Sequence, residues 1–315
     1  METQKKHISI STPCYNEEGN VEALVKAVAA VFEKMPQYTY EHVFIDNSSA
    51  DKTVSILKKI SENNKNVKVI VNARNFGHIR SSFHGLRECY GDAVITLVAD
   101  FQDPPEMIQK LLEKWEEGNK IVLAIKSQSK ENPLMFAVRK SFYKLLEKAS
   151  DTDAPPKNFT GFGLYDKKFM DVVRSLDDPY PYFRGMVTEF GFDRVEIEYS
   201  QPQRMFGKTK NNFFTLYDLA MLGFTNHSKL PLRLAAFIGF FTAIVSFLVA
   251  LSYFVYKLIF WDNFQVGMAP LVIGVFFFSS VQLFFIGIIG EYIGAIHTQV
   301  RKRPLVVEKE RVNFN

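Results

Sequence analysis

The sequence predicts an α/β domain built on a mostly parallel sheet, followed by a C-terminal pair of membrane-length helices. Three observations predict it. The first 125 residues alternate short apolar runs with segments of helical periodicity. The apolar runs end in polar clusters. Residues 231–300 carry only four formal charges, Arg233, Lys257, Asp262 and Glu291.

Ile8-Ser9-Ile10-Ser11 alternates like a strand, and Val21, Leu24, Val25, Val28 and Phe32 then recur at helical spacing. His42–Asp46 is a second apolar run, followed by a helix with Val54, Leu57 and Ile60 on one face. Val67–Val71 predicts a third strand, and Ile79, Phe83 and Leu86 a third helix. Ala93–Ala99 reads as a buried strand, Pro105 as the first turn of a helix, and Ile121–Ile125 as a further strand. Strands joined by single helices imply right-handed crossovers and a sheet covered on both faces. Residues 126–212 are less regular and are read as the second half of the same domain, closing over its crevice.

The whole-chain composition conceals two unlike halves. With 38 Lys+Arg against 34 Asp+Glu, the net charge of +4 is too near neutral for a nucleic-acid partner. At 47% hydrophobic and 23% charged, disorder is excluded, and two cysteines are too few for a disulfide scaffold. Cys14 and Cys89 read as small buried residues in a reducing compartment. Met1–His7 is polar and charged, unlike a secretory signal.

The organisation expected is a domain over 1–212, an interfacial amphipathic helix over 213–228, two transmembrane helices within 229–300 and a cytoplasmic tail over 301–315. Phe213–Thr225 is apolar on most faces and follows basic residues, as in a helix lying at a membrane surface. Leu234–Tyr256 and Asn263–Gly290 carry no formal charge, and each exceeds the ~20 residues that a span needs. The helices are placed at about 233–257 and 267–294. Lys229 and Arg233 precede the first and Arg301, Lys302 and Arg303 follow the second, so the positive-inside rule puts the domain and both termini in the cytoplasm.

Ligands of such sheets bind beyond the carboxyl ends of the strands. Four polar clusters stand there: Pro13-Cys14-Tyr15-Asn16-Glu17-Glu18, Asp46-Asn47-Ser48-Ser49-Ala50-Asp51, Arg74-Asn75-Phe76-Gly77 and Asp100-Phe101-Gln102-Asp103-Pro104-Pro105-Glu106. Singly, each is an ordinary turn, and Asp103 before Pro104-Pro105 is a plausible helix start. In this order and spacing they resemble the nucleotide-sugar domain of glycosyltransferase family 2, of GT-A fold. Phe183-Arg184-Gly185, Arg204-Met205-Phe206-Gly207-Lys208 and the two spans extend the resemblance to the polyprenyl-phosphate glycosyltransferases. These include the bactoprenol glucosyltransferases and, more distantly, the dolichol-phosphate mannose synthases.

That resemblance implies inverting transfer of a hexose from a nucleotide-sugar donor, UDP-glucose or a relative, to polyprenyl (undecaprenyl) phosphate at the inner membrane of a bacterium. It implies donor contacts from Pro13, Tyr15, Glu17, Asp46, Arg74 and Asp100. Asp100, Asp103, Arg204 and Lys208 are expected in catalysis, and Lys126, Arg139, Arg204 and Lys208 at the acceptor phosphate. Asp100 and Gln102 offer oxygen ligands suited to Mg²⁺ or Mn²⁺. A homo-oligomer, a tetramer in the family, is implied, with the lipid bilayer as a further partner.

Two departures stand out. Val98 occupies the place of the family's first acidic residue, and Gly161 the place where many members carry a carboxylate proposed as base. A lipid phosphate, with a second pKa of about 6, is already anionic and needs positioning more than deprotonation, so loss of a base need not abolish turnover. The departures keep open a degenerate sugar-binding scaffold, and a sister transferase with another lipid acceptor is the second alternative. Gly161-Phe162-Gly163 lacks the third glycine of a dinucleotide loop. Gln201-Pro202-Gln203-Arg204-Met205 has Met where processive synthases have Trp, and two spans form no polymer channel.

Overall fold

The computed structural model describes residues 5–127, 156, 158–179, 181–202, 230–260 and 268–314. Its strands are β1 (Lys6–Cys14), β2 (Tyr38–Asp46), β3 (Val67–Asn72), β4 (Ala93–Thr96), β5 (Ile121–Lys126), β6 (Phe159–Asp166), β7 (Arg194–Tyr199) and β8 (Glu308–Val312). Its helices are α1 (Val21–Glu33), α2 (Thr53–Asn63), α3 (His78–Arg87), α4 (Met107–Glu116), α5 (Lys167–Ser175), α6 (Phe183–Glu189), α7 (Leu230–Ile259) and α8 (Met268–Val300). The strands form one sheet in the order β7-β5-β6-β4-β1-β2-β3-β8. Pairs β1–β2, β2–β3, β1–β4 and β5–β7 are parallel, whereas β4–β6, β5–β6 and β3–β8 are antiparallel.

Strand alternation explains the two covered faces, because successive side chains point to opposite sides of a sheet. Ile8, Ile10, Phe44, Val69 and Ile95 meet Leu24, Val28, Leu57, Leu111 and Trp115 of α1, α2 and α4. Val43, Ile45, Ile70 and Val94 instead meet Phe83 and Leu86 of α3, Phe169 and Met170 of α5, and Val187 of α6. The order reverses direction at β1, which has β2 on one side and β4 on the other. A crevice therefore opens at their carboxyl ends.

Several boundaries differ from the sequence expectation. The buried run from Ala93 pairs only to Thr96; Leu97 N–H still donates to Ser11 O at 3.0 Å, and the chain then turns toward the crevice. The helix after Pro104-Pro105 begins at Met107, with those prolines in the preceding turn. Asp103 does not cap it. The irregular second half contains β6, α5, α6 and β7; β6 is buried on both faces over most of its length and shows no clean period, whereas β7, Arg194–Tyr199, alternates.

Within the tail expected over 301–315, residues 305–314 pack back onto the domain. Leu305 and Val306 are buried, and β8 pairs with β3 through Val69↔Val312, Ile70↔Arg311 and Val71↔Glu310. Its sequence Glu308-Lys309-Glu310-Arg311 reads as solvated chain, but charge is what an edge strand carries to block further pairing.

α7 and α8 are long and apolar enough to cross a bilayer, over Leu234–Tyr256 and Gly274–Val300. The second window lies later than the sequence suggested. Phe237, Phe241, Phe276 and Phe284 are exposed. The expected interfacial helix, 213–228, lies outside the described residues.

His42 of β2 is buried, with Nε2 2.9 Å from Thr12 Oγ1 and its ring 4.1 Å from that of Phe44. Burial pushes its pKa down to about 3. The unfolded chain takes up this proton near pH 6.5 and the folded chain does not, so acidification below that value favours unfolding. We expect this one group to remove about 2 kcal/mol of stability between pH 7 and pH 5. Melting of wild type and His42→Gln at both values checks it: the variant should lose less on acidification.

Candidate active site

The four loops that leave β1, β2, β3 and β4 each contain one residue in the left-handed region: Asn16 (φ 56°), Ser48 (φ 65°), Gly77 (φ 84°) and Phe101 (φ 60°). Three are not glycine, and such conformations persist only where surrounding contacts hold them. Those contacts lace the loops together. Asn16 N–H donates to Ser49 Oγ, and Ala50 N–H to Asn16 Oδ1, both at 2.8 Å. Glu17 N–H donates to Thr53 Oγ1 at 2.8 Å, and Glu17 Oε2 accepts from Asn20 Nδ2 at 2.6 Å. Asn47 extends the lattice, donating to Asn75 Oδ1 at 3.0 Å and accepting from Phe76 N–H at 2.9 Å.

Asp46 ends β2 beneath these loops and is fully buried. It accepts from Ser49 N–H at 2.9 Å and from the Ser49 hydroxyl. Burial raises its pKa, while the Ser49 bonds oppose that rise. Cys14 lies beside it, its Sγ 3.9 Å from Asp46 Oδ2. Burial and then the Asp46 charge push that thiol up, which suits packing and not nucleophilic attack.

On the other side of β1, Asp100 and Asp103 are both buried. Asp100 Oδ1 accepts the Gln102 N–H at 3.1 Å. Asp103 Oδ1 accepts the Tyr199 hydroxyl at 2.9 Å. Burial raises the Asp103 pKa to about 6, with the Tyr199 bond and the Lys126 charge acting against the rise and the Asp100 charge adding to it. The carboxylates and Lys126 therefore share one electrostatic neighbourhood.

A cavity of about 180 Å³ adjoins them, lined by residues that include Pro13, His78, Val98, Asp103, Gly161 and Arg184. Gly161 has φ 105°, a conformation that L side chains rarely adopt. Its carbonyl accepts from Tyr165 Oη at 2.8 Å and from the Thr96 hydroxyl. The backbone thus accounts for glycine at this position, and Asp103 supplies a carboxylate on the cavity wall.

Of the residues singled out in the sequence, Pro13 and Asp103 line this cavity, with Asp100 and Lys126 close enough to Asp103 to perturb it. Tyr15 and Glu17 are partly exposed in the β1 loop. Arg74 is exposed in the β3 loop, its guanidinium 4.1 Å from the Phe76 ring centre. Arg139, Arg204 and Lys208 lie outside the described residues. Sequence reasoning assigned no role to His78, Arg184 or Tyr199. Phe183-Arg184-Gly185 was visible as a motif, whereas nothing marked Tyr199 before β7 placed its hydroxyl on Asp103.

Among the described residues, no three His, Cys, Asp or Glu side chains gather as a metal cage. A substrate-bridging Mg²⁺ needs none, since it takes one or two carboxylates, phosphate oxygens and waters. The oxygen donors of Asp100 and Gln102 fit that lighter requirement.

A strand-end crevice with buried carboxylates on such a sheet is an arrangement that GT-A glycosyltransferases share, and the family match assigns this chain to them. Residues 9–173 match glycosyl transferase family 2, and the chain belongs to that family. A glycosyltransferase of Bacillus subtilis (strain 168), named as uncharacterized, is 34% identical over 306 residues, covering 96% of this chain and 94% of its own. The SfII prophage-derived bactoprenol glucosyl transferase of Shigella flexneri is 34% identical over 304 residues, covering 96% and 97%. Among solved structures, a mannosyltransferase from Pyrobaculum calidifontis in complex with GDP-Man and Mn²⁺ aligns at 15% identity and a TM-score of 0.45, covering 95% and 88%.

Proposed function

We propose that this enzyme transfers a hexose, glucose or a close relative, from a UDP-sugar to polyprenyl (undecaprenyl) phosphate. The product would be a polyprenyl-phosphate sugar for modifying cell-envelope glycans. One observation carries the reading: similarity to bactoprenol glucosyl transferases runs through the catalytic domain and both apolar helices. The domain and both termini face the cytoplasm of a bacterial inner membrane, and the chain crosses it twice. Pairing of β8 with β3 supports this topology, because it returns the end of α8 to the domain that precedes α7.

Pro13, Tyr15 and Glu17 wall the base and ribose, Asp46 accepts from the base, and Arg74 meets the diphosphate. An acceptor phosphate oxygen attacks the sugar C1 as the C1–O bond to the nucleotide breaks, which inverts the anomeric centre and releases UDP. Lys126, Arg139, Arg204 and Lys208 orient the acceptor phosphate. Mg²⁺ or Mn²⁺, held by Asp100 and Gln102, would neutralise charge on the departing diphosphate. The attacking oxygen is already anionic, so Gly161 at the family's base position is compatible with turnover. Asp103 faces the reacting groups from the cavity wall. The enzyme works as a homo-oligomer, a tetramer by family resemblance.

A screen of labelled nucleotide sugars tests the donor: only a UDP-hexose should give nucleotide release that depends on undecaprenyl phosphate. Arg204→Ala and Lys208→Ala test the acceptor cations. Each should raise the acceptor KM by about tenfold, with Arg204→Lys a poor rescue because bidentate geometry is lost. Equal loss of nucleoside diphosphate binding in a calorimetric titration would move both cations to the donor.

A further inference from the structure

The C-terminal segment does more than cover a sheet edge. α8 ends at Val300, and Pro304 O already accepts from Arg80 Nη2 of α3 at 2.8 Å. Four residue steps cannot span more than about 14 Å, so the end of the apolar helix is held close to α3. Leu305 and Val306 then enter the same core cluster as Phe83 and Leu86 of α3. Beyond them, Glu308 Oε1 lies 2.5 Å from His84 Nε2, and Arg311 Nη1 donates to Glu88 Oε2 at 2.8 Å. Lys58 pairs with Glu310 at 2.6 Å, and Asn313 Nδ2 donates to the Ser61 and Val67 carbonyls at 2.8 and 2.9 Å. The strap is therefore anchored from its first residue to its last.

α3 has two occupied sides. Arg80, His84 and the adjoining Glu88 hold the strap, while His78, Ile79, Ser82, Phe83 and Leu86 line the cavity. One helix is thus shared between the cavity wall and the exit of α8.

We infer that residues 304–314 are a positioning element for transfer: through Arg80, His84 and Glu308 they fix the cavity at a set height above the membrane end of α8. This rests on the lipid-acceptor reading above. A lipid-borne phosphate stays near the headgroup plane, so the reacting carbon must be delivered to that plane. A long flexible tether would permit the same contacts but lower the frequency of productive encounter. A connection of three residues between Val300 and Pro304 instead sets the distance.

The decisive variant separates this role from edge protection. About ten Gly and Ser residues inserted between Arg303 and Pro304 leave β8 free to pair, but add a coil of roughly 17 Å between helix and strap. The full-length variant is compared with wild type in phosphatidylethanolamine–phosphatidylglycerol vesicles containing undecaprenyl phosphate, and in detergent with a short-chain prenyl phosphate. Amide exchange of residues 308–312 and the melting temperature report whether the strap is seated; an insertion of about four residues gives a second, milder variant.

With the strap seated, we expect unchanged UDP binding and unchanged transfer to the short-chain acceptor. Transfer in vesicles should fall about tenfold for the longer insertion and less for the shorter. Equal vesicle rates for both insertions and wild type would overturn the inference and leave β8 as edge cover alone. If wild type transfers to neither acceptor, the lipid-acceptor reading itself falls, and the inference with it.

Discussion

Asp100→Asn should lower turnover by about 10²–10³-fold, the range seen when a preorganised charge at the reacting centre is lost. The substitution keeps the shape of the side chain and an oxygen able to accept the Gln102 N–H, so folding should be preserved. What it removes is the carboxylate charge. Val98 leaves this site without the family's first acidic residue, which gives Asp100 no substitute in that position. Steady-state kinetics with saturating donor would show the loss in kcat, and raising Mg²⁺ or Mn²⁺ should recover little of it. An Asn variant at the wild-type rate would remove Asp100 from the site.

Asp46→Ala should weaken nucleoside diphosphate binding by about 10–100-fold, corresponding to loss of a charge-assisted hydrogen bond and its local support. Asp46 is fully buried and braces Ser49, which in turn accepts from the Asn16 backbone. Its loss therefore releases the left-handed turns at Asn16 and Ser48 as well as the proposed base contact. Ser49→Ala separates these contributions by removing the hydroxyl brace while keeping the carboxylate, and should cost less. Calorimetric titration of UDP reads both variants; unaltered affinity in Asp46→Ala would place the base elsewhere.

The parallel half of the fold was legible because each strand is an apolar run of β-forming residues and each helix a 3.6-residue pattern. The four polar clusters marked the strand ends, and the structure brings them to one edge of the sheet. The antiparallel half was not legible. β6 carries Gly161 and Gly163 for local reasons: a positive φ within the strand at one, and at the other a backbone approach that puts Val122 O 2.5 Å from any added Cβ. Those glycines read as loop. β8 was missed because its charges serve an exposed edge and its pairing partner is more than 200 residues away.

The candidate site was legible to a similar degree. Pro13, Asp46, Asp100 and Asp103 announced themselves in motifs, but the state of Asp103 depends on Tyr199 and Lys126, which follow it at unrelated positions. A helix-start reading of Asp103 satisfied local sequence rules and was overridden by the tertiary bond. Arg184 and His78 reach the cavity only because α3 and α6 pack on the same sheet face.

The most direct measurement follows radiolabelled glucose from UDP-glucose into lipid. Purified enzyme in vesicles with undecaprenyl phosphate and Mg²⁺ should give an organic-extractable product with the mass of undecaprenyl-phosphate glucose, one UDP released per glucose transferred, and an inverted anomeric centre. Omitting the lipid phosphate should abolish both label transfer and UDP release. UDP-glucose turnover that is indifferent to lipid phosphate, or bound donor with no lipid product from any UDP-hexose, would contradict the account.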